Sequence, residues 1–454
     1  MKMARLILAL AAALLGLKSL AQQNDQPQPP KGSPVVFTPE MTGQLIARLR
    51  TALVSNYIFP DTASNMVAHL EKEYEKGAYS SIKDPGQLAD RLQNDLQTAH
   101  HDGHLRLMYD PGFGRQPMGP AGEAPKGKPN DAAALAEMRQ NNFLFSRVEV
   151  LSGNIGYVAL NGFTELVEQA RPTFAAAFRF VANTRALIID LRNNGGGSPR
   201  MVSQVESYFF PEKTHMNDIV DRNGRTNAFW TDPARADGVL LGMPVYILTS
   251  KQTFSGAEDF AYGMQAIKRA TVVGETTGGG AHPTGTYEVG MGFVAHIPNL
   301  RSLNPYTDKD WEGTGVVPDL AVPAEDALVA ARQDILTRQM ALATTDREKK
   351  QIQWAKNLLL AQLNVAPMDP VQLVAYAGTF RGGLRFYVKD NNLYCQNAQR
   401  GNVVVKLQHL ANDLFVLDDK IQVEFKKDPS GQFSGIQWYR ADGTETFKER
   451  ENTK

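Results

Sequence analysis

Cysteine is almost missing from this chain: Cys395 is the single thiol in 454 residues. No internal disulfide can form, so stability must come from hydrophobic cores, and zinc sites built on cysteine are ruled out. Net charge is missing as well, with 48 Lys plus Arg against 48 Asp plus Glu. Without a basic stripe carrying interleaved aromatics, this balance argues against a nucleic-acid partner. Beyond the first twenty or so residues no apolar run is long enough to cross a bilayer, so no membrane span is expected. The familiar phosphate signatures are absent too. The one glycine-rich turn after a buried strand lacks both the Gly-Lys-Ser/Thr of a Walker loop and the GxGxxG spacing of a dinucleotide site.

What is present begins with Lys2 and Arg5, an apolar core from Leu6 to Leu17, and Ser19-Leu20-Ala21. That is the pattern of a secretory signal peptide over residues 1–21, with the exported mature chain starting near Gln22. No cysteine follows the apolar core, so a lipoprotein anchor is not expected.

The mature length exceeds one core and predicts several units. Residues 22–37, rich in Gln and Pro, read as a flexible linker. Over 38–112, apolar residues at three- and four-residue spacing predict a helical amino-terminal domain with helices at Met41–Asn56, Asp61–Gly77 and Asp84–His100. A Gly/Pro-rich loop covers 113–130. From 131 to 323, apolar runs such as Ile155–Leu160, Ala186–Arg192 and Val245–Leu248 alternate with helical stretches, which predicts an α/β core with a largely parallel sheet. Residues 324–366 read as a helical connector, either a hairpin or a dimer surface. Short β runs broken by Asp390-Asn391-Asn392 and Asp428-Pro429-Ser430-Gly431 make 367–454 a small antiparallel β domain that serves as lid, packing partner or weak substrate holder.

Chemistry enters where the run Val245–Leu248 leads into Thr249-Ser250-Lys251-Gln252-Thr253-Phe254-Ser255-Gly256. A serine on a strand-to-helix turn, with a glycine after it, can present its hydroxyl and the next backbone N–H to one substrate atom. Ser-Gly is also an ordinary helix cap, so the pair alone decides little. A second turn, Asn193-Asn194-Gly195-Gly196-Gly197-Ser198, follows the strand at Ala186 and exposes backbone N–H groups suited to an oxyanion or a phosphate.

Together these segments resemble the S41 serine peptidases, which carry a DLRxNGGG-type turn and then a TxSxxE/D-type segment. The resemblance extends to Asp102-Gly103-His104-Leu105, to Val273-Gly274-Glu275 with Thr276-Thr277-Gly278-Gly279-Gly280, and to Gly315-Val316-Val317-Pro318-Asp319. It implies a crotonase- or ClpP-like spiral core, and the regulatory PDZ domain of many processing members has no room here, because mainly the Gly/Pro loop and one helix separate Gly103 from Tyr157. Members that process carboxyl termini use a Ser-Lys dyad with a lysine soon after the VGE stretch, whereas here no lysine occurs between Lys268 and Lys309. The resemblance therefore points to the tricorn-core and interphotoreceptor retinoid-binding protein-like branch, with Ser255 as nucleophile, His104 as base and Glu312 as supporting carboxylate. Whether Glu312 meets His104 directly or acts through a water is open at this point. Gly256 with Gly195 or Gly196 would form the oxyanion hole, and His282 and Gly279 are candidates for the substrate cleft.

His100, His101 and His104 lack the partners of a zinc site, so no metal and no cofactor is expected. Glu258 and Asp259 read as acidic residues favoured at a helix amino terminus. The expected partner is a peptide or unfolded protein, with homo-oligomer formation possible. A carrier of an apolar small molecule and a hydrolase of non-peptide substrates are the alternatives.

Overall fold

Each of the first three helices opens on a proline, whose missing N–H costs nothing where no intrahelical acceptor exists. They are α1 (Pro39–Asn56), α2 (Pro60–Glu75) and α3 (Pro85–Ala99) in a computed structural model that describes residues 36–113, 131–363 and 368–451. The expected signal peptide, the linker apart from Val36 and Phe37, and residues 114–130 of the Gly/Pro-rich loop lie outside the described residues. Thr38 and Asp84 cap α1 and α3 by accepting the backbone N–H of Met41 at 3.3 Å and of Gln87 at 2.8 Å.

These helices share a core with strands that the sequence reading did not foresee. β1 (Arg106–Tyr109) follows directly on α3 and His104. Further along come α4 (Asp131–Gln140), β2 (Phe145–Leu151), β3 (Ile155–Leu160), α5 (Val167–Val181), β4 (Ala186–Asp190) and α6 (Pro199–Glu206). A hairpin of β5 (His215–Asp221) and β6 (Thr226–Trp230) precedes β7 (Val245–Thr249), α7 (Gly256–Ala266) and β8 (Ala270–Gly274). Then β9 (Thr284–Gly290) and β10 (Phe293–Pro298) turn back so that β10 pairs antiparallel with β1, His296 opposite Arg106. Val289, Phe293, Ala295 and Ile297 thereby join Leu45, Leu49, Leu70 and Leu92 of the helices in one buried cluster.

After β11 (Leu300–Leu303), which pairs with β5, and β12 (Leu320–Ala321), the central sheet is complete in the order β12-β8-β7-β4-β3-β2. All of its pairings are parallel except β2 with β3. Alternate side chains of each strand go to opposite faces. Val158, Leu187, Ile189 and Ile247 pack under α5, α6 and α7, with Phe174, Phe178, Val205 and Phe260. Tyr157, Ile188, Tyr246 and Leu248 face the other way, against α8 (Ala327–Leu342) and α9 (Asp346–Leu363), through Ala331, Leu336, Trp354 and Leu359. The two helices left open as hairpin or dimer surface thus cover the second face of the sheet.

After the short helix α10 (Pro370–Leu373), two antiparallel sheets close the chain. The first holds β13 (Gly378–Phe380), β14 (Leu384–Lys389), β15 (Asn392–Asn397) and β16 (Val403–Lys406) in that order. The second runs β17 (Gln408–Ala411), β18 (Leu414–Asp418), β19 (Ile421–Lys427), β20 (Phe433–Arg440) and β21 (Glu445–Glu449). Phe380, Phe386, Phe415, Phe425 and Trp438 fill the space between them, and Cys395 is buried there. The fold is α/β, with helices and β1 at the amino end, a mostly parallel sheet in the middle and antiparallel β at the carboxyl end.

Candidate active site

β4 and β7 are neighbouring parallel strands, so the turns that leave their carboxyl ends lie side by side. Hydrogen bonds stitch them together. Ser250 Oγ donates to Arg192 O at 2.6 Å, Thr253 Oγ1 to Leu191 O at 2.8 Å, and Phe254 N to Asn194 O at 3.1 Å. At the end of this stitched loop Ser255 opens α7 with φ 53° and ψ −121°, a sparsely populated backbone conformation for a residue with a side chain. Glu258 holds it there: its Oε2 accepts the Ser255 N–H at 2.8 Å.

Gly196 makes the close approach possible. A Cβ at this position, where φ is +100°, would stand 2.7 Å from Gly256 N and 2.8 Å from Ser255 Cβ. Gly256 N–H, at the helix start, makes no hydrogen bond to the described residues, and Gly195 next door is exposed. The Gly196 N–H, in contrast, donates to Asn194 Oδ1 at 2.8 Å. Of the expected oxyanion donors, Gly196 is therefore already committed and shapes the turn; Gly195 is exposed, and Gly256 is buried against Gly197.

His104 reaches this turn from the end of the helical region. Its Nε2 lies 3.0 Å from Ser255 Oγ, and its ring packs on Phe254 at 4.6 Å between centroids. A Cβ on Gly280 would come within 2.7 Å of His104 Cε1, so this glycine too is set by close approach. Burial pushes the imidazole down to about 4; Asp102 pulls the other way, and the positive charges of His282 and Arg106 reinforce the lowering. At neutral pH the ring is uncharged and Nε2 can accept a proton. His104 Nδ1 is buried and has no hydrogen-bond partner.

Asp102, fully buried, secures the backbone of His104 rather than its ring. Oδ1 accepts the His104 N–H at 2.9 Å, while Oδ2 accepts Tyr57 Oη–H at 2.8 Å and lies 3.1 Å from His282 Nδ1. The same His282 nitrogen is 3.4 Å from Glu312 Oε2, which accepts the Ala281 N–H at 2.6 Å. Burial would lower His282, yet its hydrogen bond to Asp102 and the charges of Glu312, Asp102 and Asp310 raise it above the usual imidazole value. Burial alone would raise Asp102, but His282 holds it below the ordinary carboxylate range. Glu312 is pushed up to about 7 by burial, an effect that His282 opposes and Asp102 and Asp310 strengthen. The arrangement, one carboxylate within hydrogen-bond distance of His282 Nδ1 and a second close by, favours the protonated imidazole.

Among the described residues the Glu312 carboxylate contacts His282 and the Ala281 N–H and makes no direct contact with His104. His282, expected to line the cleft, is instead 2% exposed beneath it. Gly279 is buried as well, its N–H given to Glu258 Oε1 at 2.7 Å and its carbonyl to Gly313 N at 3.0 Å. The loops at 279–281 and 311–313 are thus zipped together, with Trp311 Nε1 donating to Gly280 O at 2.8 Å.

Glu258 was read only as a helix-start charge, but it is the hub of the site. At 0% exposure it accepts the N–H groups of Ser255, Gly279 and Gly280 and the hydroxyl of Thr277. Its position three residues after Ser255 is the S-x-x-E spacing of a capping box, a signal present in the sequence. Asp102 and His282 had no comparable signal, because they meet across 180 residues.

Two family models match the chain. One described as "Peptidase family S41" covers residues 154–322, and one described as "N-terminal domain of Peptidase_S41 in eukaryotic IRBP" covers residues 35–151. Among curated proteins, carboxyl-terminal-processing peptidase 2 of Arabidopsis thaliana chloroplasts is 30% identical over 38% of this chain and 32% of its own length. The carboxy-terminal processing protease CtpB of Bacillus subtilis is 24% identical over 42% of this chain and 38% of its own. The match thus spans about a third of the length of these relatives. A crystal structure from Parabacteroides merdae aligns over 68% of this chain and all of its own, with a TM-score of 0.48 and 21% identity. The photosystem II D1 C-terminal processing protease aligns over 63% of this chain and 94% of its own, with a TM-score of 0.39 and 18% identity.

Proposed function

The chain belongs to peptidase family S41, and from this premise we propose that it is a serine peptidase acting on peptides or unfolded proteins through Ser255, His104 and Glu312. The observation that carries the reading is the 3.0 Å contact between His104 Nε2 and Ser255 Oγ on a turn that opens a helix. A serine hydroxyl is a weak nucleophile at neutral pH, and an uncharged imidazole within hydrogen-bond reach is the group that activates it. His104 takes the Oγ proton as Oγ bonds to the scissile carbonyl carbon. The oxygen of the tetrahedral intermediate faces the N–H groups of Gly256 and Gly195, the first of which sits at the positive end of α7. The C–N bond then breaks, the imidazolium gives its proton to the leaving amine, and water, deprotonated by the same ring, hydrolyses the acyl-enzyme.

Glu312 is assigned the role of stabilising the imidazolium through an intervening water, because Glu312 Oε1 and His104 Nδ1 are both buried and have no hydrogen-bond partner among the described residues. No lysine occurs between Lys268 and Lys309 to serve as the alternative base. Export to the periplasm or the medium follows from the signal-peptide pattern of residues 1–21, and no helix among the described residues is long and apolar enough to cross a membrane.

The test is to treat the protein and its Ser255→Ala variant with a fluorescent fluorophosphonate and a mixed peptide library, reading both by mass spectrometry. Labelling at Ser255 and peptide cleavage, both lost in the variant, are expected. Labelling without cleavage of any peptide would replace the peptidase by a hydrolase of other acyl substrates. No labelling of folded protein would overturn the assignment of Ser255.

A further inference from the structure

The reaction above gives no role to His282, a buried ionisable side chain that lies between the loop carrying the base and the loop carrying Glu312. His282 is 2% exposed and is placed edge-on to Phe59, with ring centroids 5.5 Å apart. One nitrogen, Nδ1, addresses two carboxylates from different parts of the chain: Asp102 at 3.1 Å and Glu312 at 3.4 Å. Asp102 belongs to the loop that carries the base, and its other oxygen fixes the His104 N–H. Glu312 belongs to the loop that is zipped to 279–281.

We propose that His282 is a positioning residue for this chemistry, a buried imidazolium that clamps the Asp102 loop to the Glu312 loop and thereby sets the placement of His104 and the charge of Glu312. The assignment rests on the Ser255–His104 reading, since only then is a precise placement of the base and an ionised Glu312 of use.

Two buried carboxylates this close cannot both stay ionised without a cation. The groups facing the cluster are Asp102, Glu312, Asp310 and the Tyr57 hydroxyl, with Arg106 acting on His104. Among the described residues, His282 is the side chain able to carry a positive charge that contacts both carboxylates. With His282 neutralised, Asp102 and Glu312 take up protons, Glu312 loses the charge assigned to it, and the His104 backbone loses a fully ionised acceptor. The clamp has a mechanical side as well: the His282 ring links the base loop to the glutamate loop through contacts of 3.1 and 3.4 Å.

The decisive experiment compares the pH profiles of kcat and KM for the wild type, His282→Gln, the double variant Asp102→Asn/His282→Gln, and Ser255→Ala. His282→Gln is expected to lower kcat by about 10²-fold with little change in KM, and to move the acidic limb of kcat/KM upward by about one pH unit. The double variant removes the stranded Asp102 charge and so guards against simple misfolding; its limb should lie between those of wild type and His282→Gln, because Glu312 still lacks its cation but is no longer raised by the Asp102 charge. In parallel, ¹⁵N spectra of histidine-labelled Ser255→Ala protein should show one imidazole doubly protonated at pH 7.5, and that signal should vanish with His282→Gln. A limb that stays in place in both His282 variants, or a His282 ring that is neutral at pH 7.5, would overturn the clamp while leaving the peptidase reading intact. Activity surviving in Ser255→Ala would overturn the reading itself.

Discussion

Glu258 Oε2 accepts the backbone N–H of Ser255 at 2.8 Å, and the same carboxylate collects Gly279, Gly280 and Thr277. One buried side chain thus ties the serine turn to the loop that lies over the base. Burial raises its carboxyl above the ordinary value, an effect opposed by its hydrogen bonds to Thr277, Gly280, Gly279 and Ser255.

Replacement of Glu258 should therefore damage both stability and rate. Glu258→Ala strands four donors in the interior, which costs on the order of 3–5 kcal/mol. Glu258→Gln keeps the shape but turns an N–H group toward donors that need an acceptor. Its kcat should fall about 10²-fold with KM little changed, because the oxyanion donors move while the rest of the cleft stays. Urea unfolding and steady-state kinetics on the two variants check this; a fully active Glu258→Gln would show that the turn holds without its hub.

Activity should be lost on the acid side well above the pKa of the base. His104 is already uncharged above about 4, whereas Glu312 ionises only near 7. If Glu312 must carry charge, the acidic limb of kcat/KM lies near 7. Glu312→Gln should then lower the rate by about 10²- to 10³-fold and move the remaining limb downward, toward the value set by His104. A limb unmoved in Glu312→Gln would remove that residue from the catalytic trio.

How much of this was legible beforehand depends on the range of the interactions involved. The continuous apolar runs at Ile155, Ala186 and Val245 marked buried parallel strands, because both faces of such strands must be apolar. That the turns with Gly195 and Ser255 meet came from the family resemblance, and the pairing of β4 with β7 accounts for it. His104 and Glu312 came only from family position, since a histidine at a helix end has ordinary uses. β9 and β10 had no clear signal because Thr284–Gly290 is half exposed and lacks a continuous apolar run, and β10 finds its partner β1 near residue 106. Nothing local in Asp102 or His282 announces a contact between them. Glu258 had a signal in the capping-box spacing, but the spacing does not tell that the carboxylate is buried and accepts donors from a second loop.

The two glycines that flank the oxyanion turn should respond in opposite ways. A Cβ on Gly195 meets no atom within 4 Å, and its N–H survives substitution by alanine. Gly195→Ala should keep activity within a few-fold of wild type. Gly196→Ala places a methyl against Gly256 N and Ser255 Cβ at a φ of +100°, so the serine turn must shift. A loss of about 10²-fold in kcat is expected. Rates that rank the other way would mean that the turn carries its donors differently from the arrangement seen.

Stability should fall as pH rises through the mildly acidic range, because α6 and α7 bury two acids against each other. Glu206 and Asp259 are 1% and 7% exposed, and Glu206 Oε1 has no hydrogen-bond partner. Burial lifts Glu206 well above the ordinary carboxylate value, with Asp259 adding to it, and lifts Asp259 to about 7. A carboxyl whose folded value is raised keeps its proton in the folded state after the unfolded chain has released its own. Its stabilising contribution is therefore complete below the ordinary carboxylate value and is lost as pH climbs to about 7. His104, with its value lowered, acts in the opposite sense below about 6.5, so the effect is best read as a difference between proteins. Asp259→Asn, which retains an oxygen to accept from Asn217, should gain thermal stability over wild type progressively from about pH 4 to 7 and hold that gain above it. Melting temperatures of the two proteins across that range provide the measurement. A constant difference between the curves would mean that the pair does not share a proton, and that the burial of Asp259 is balanced in some other way.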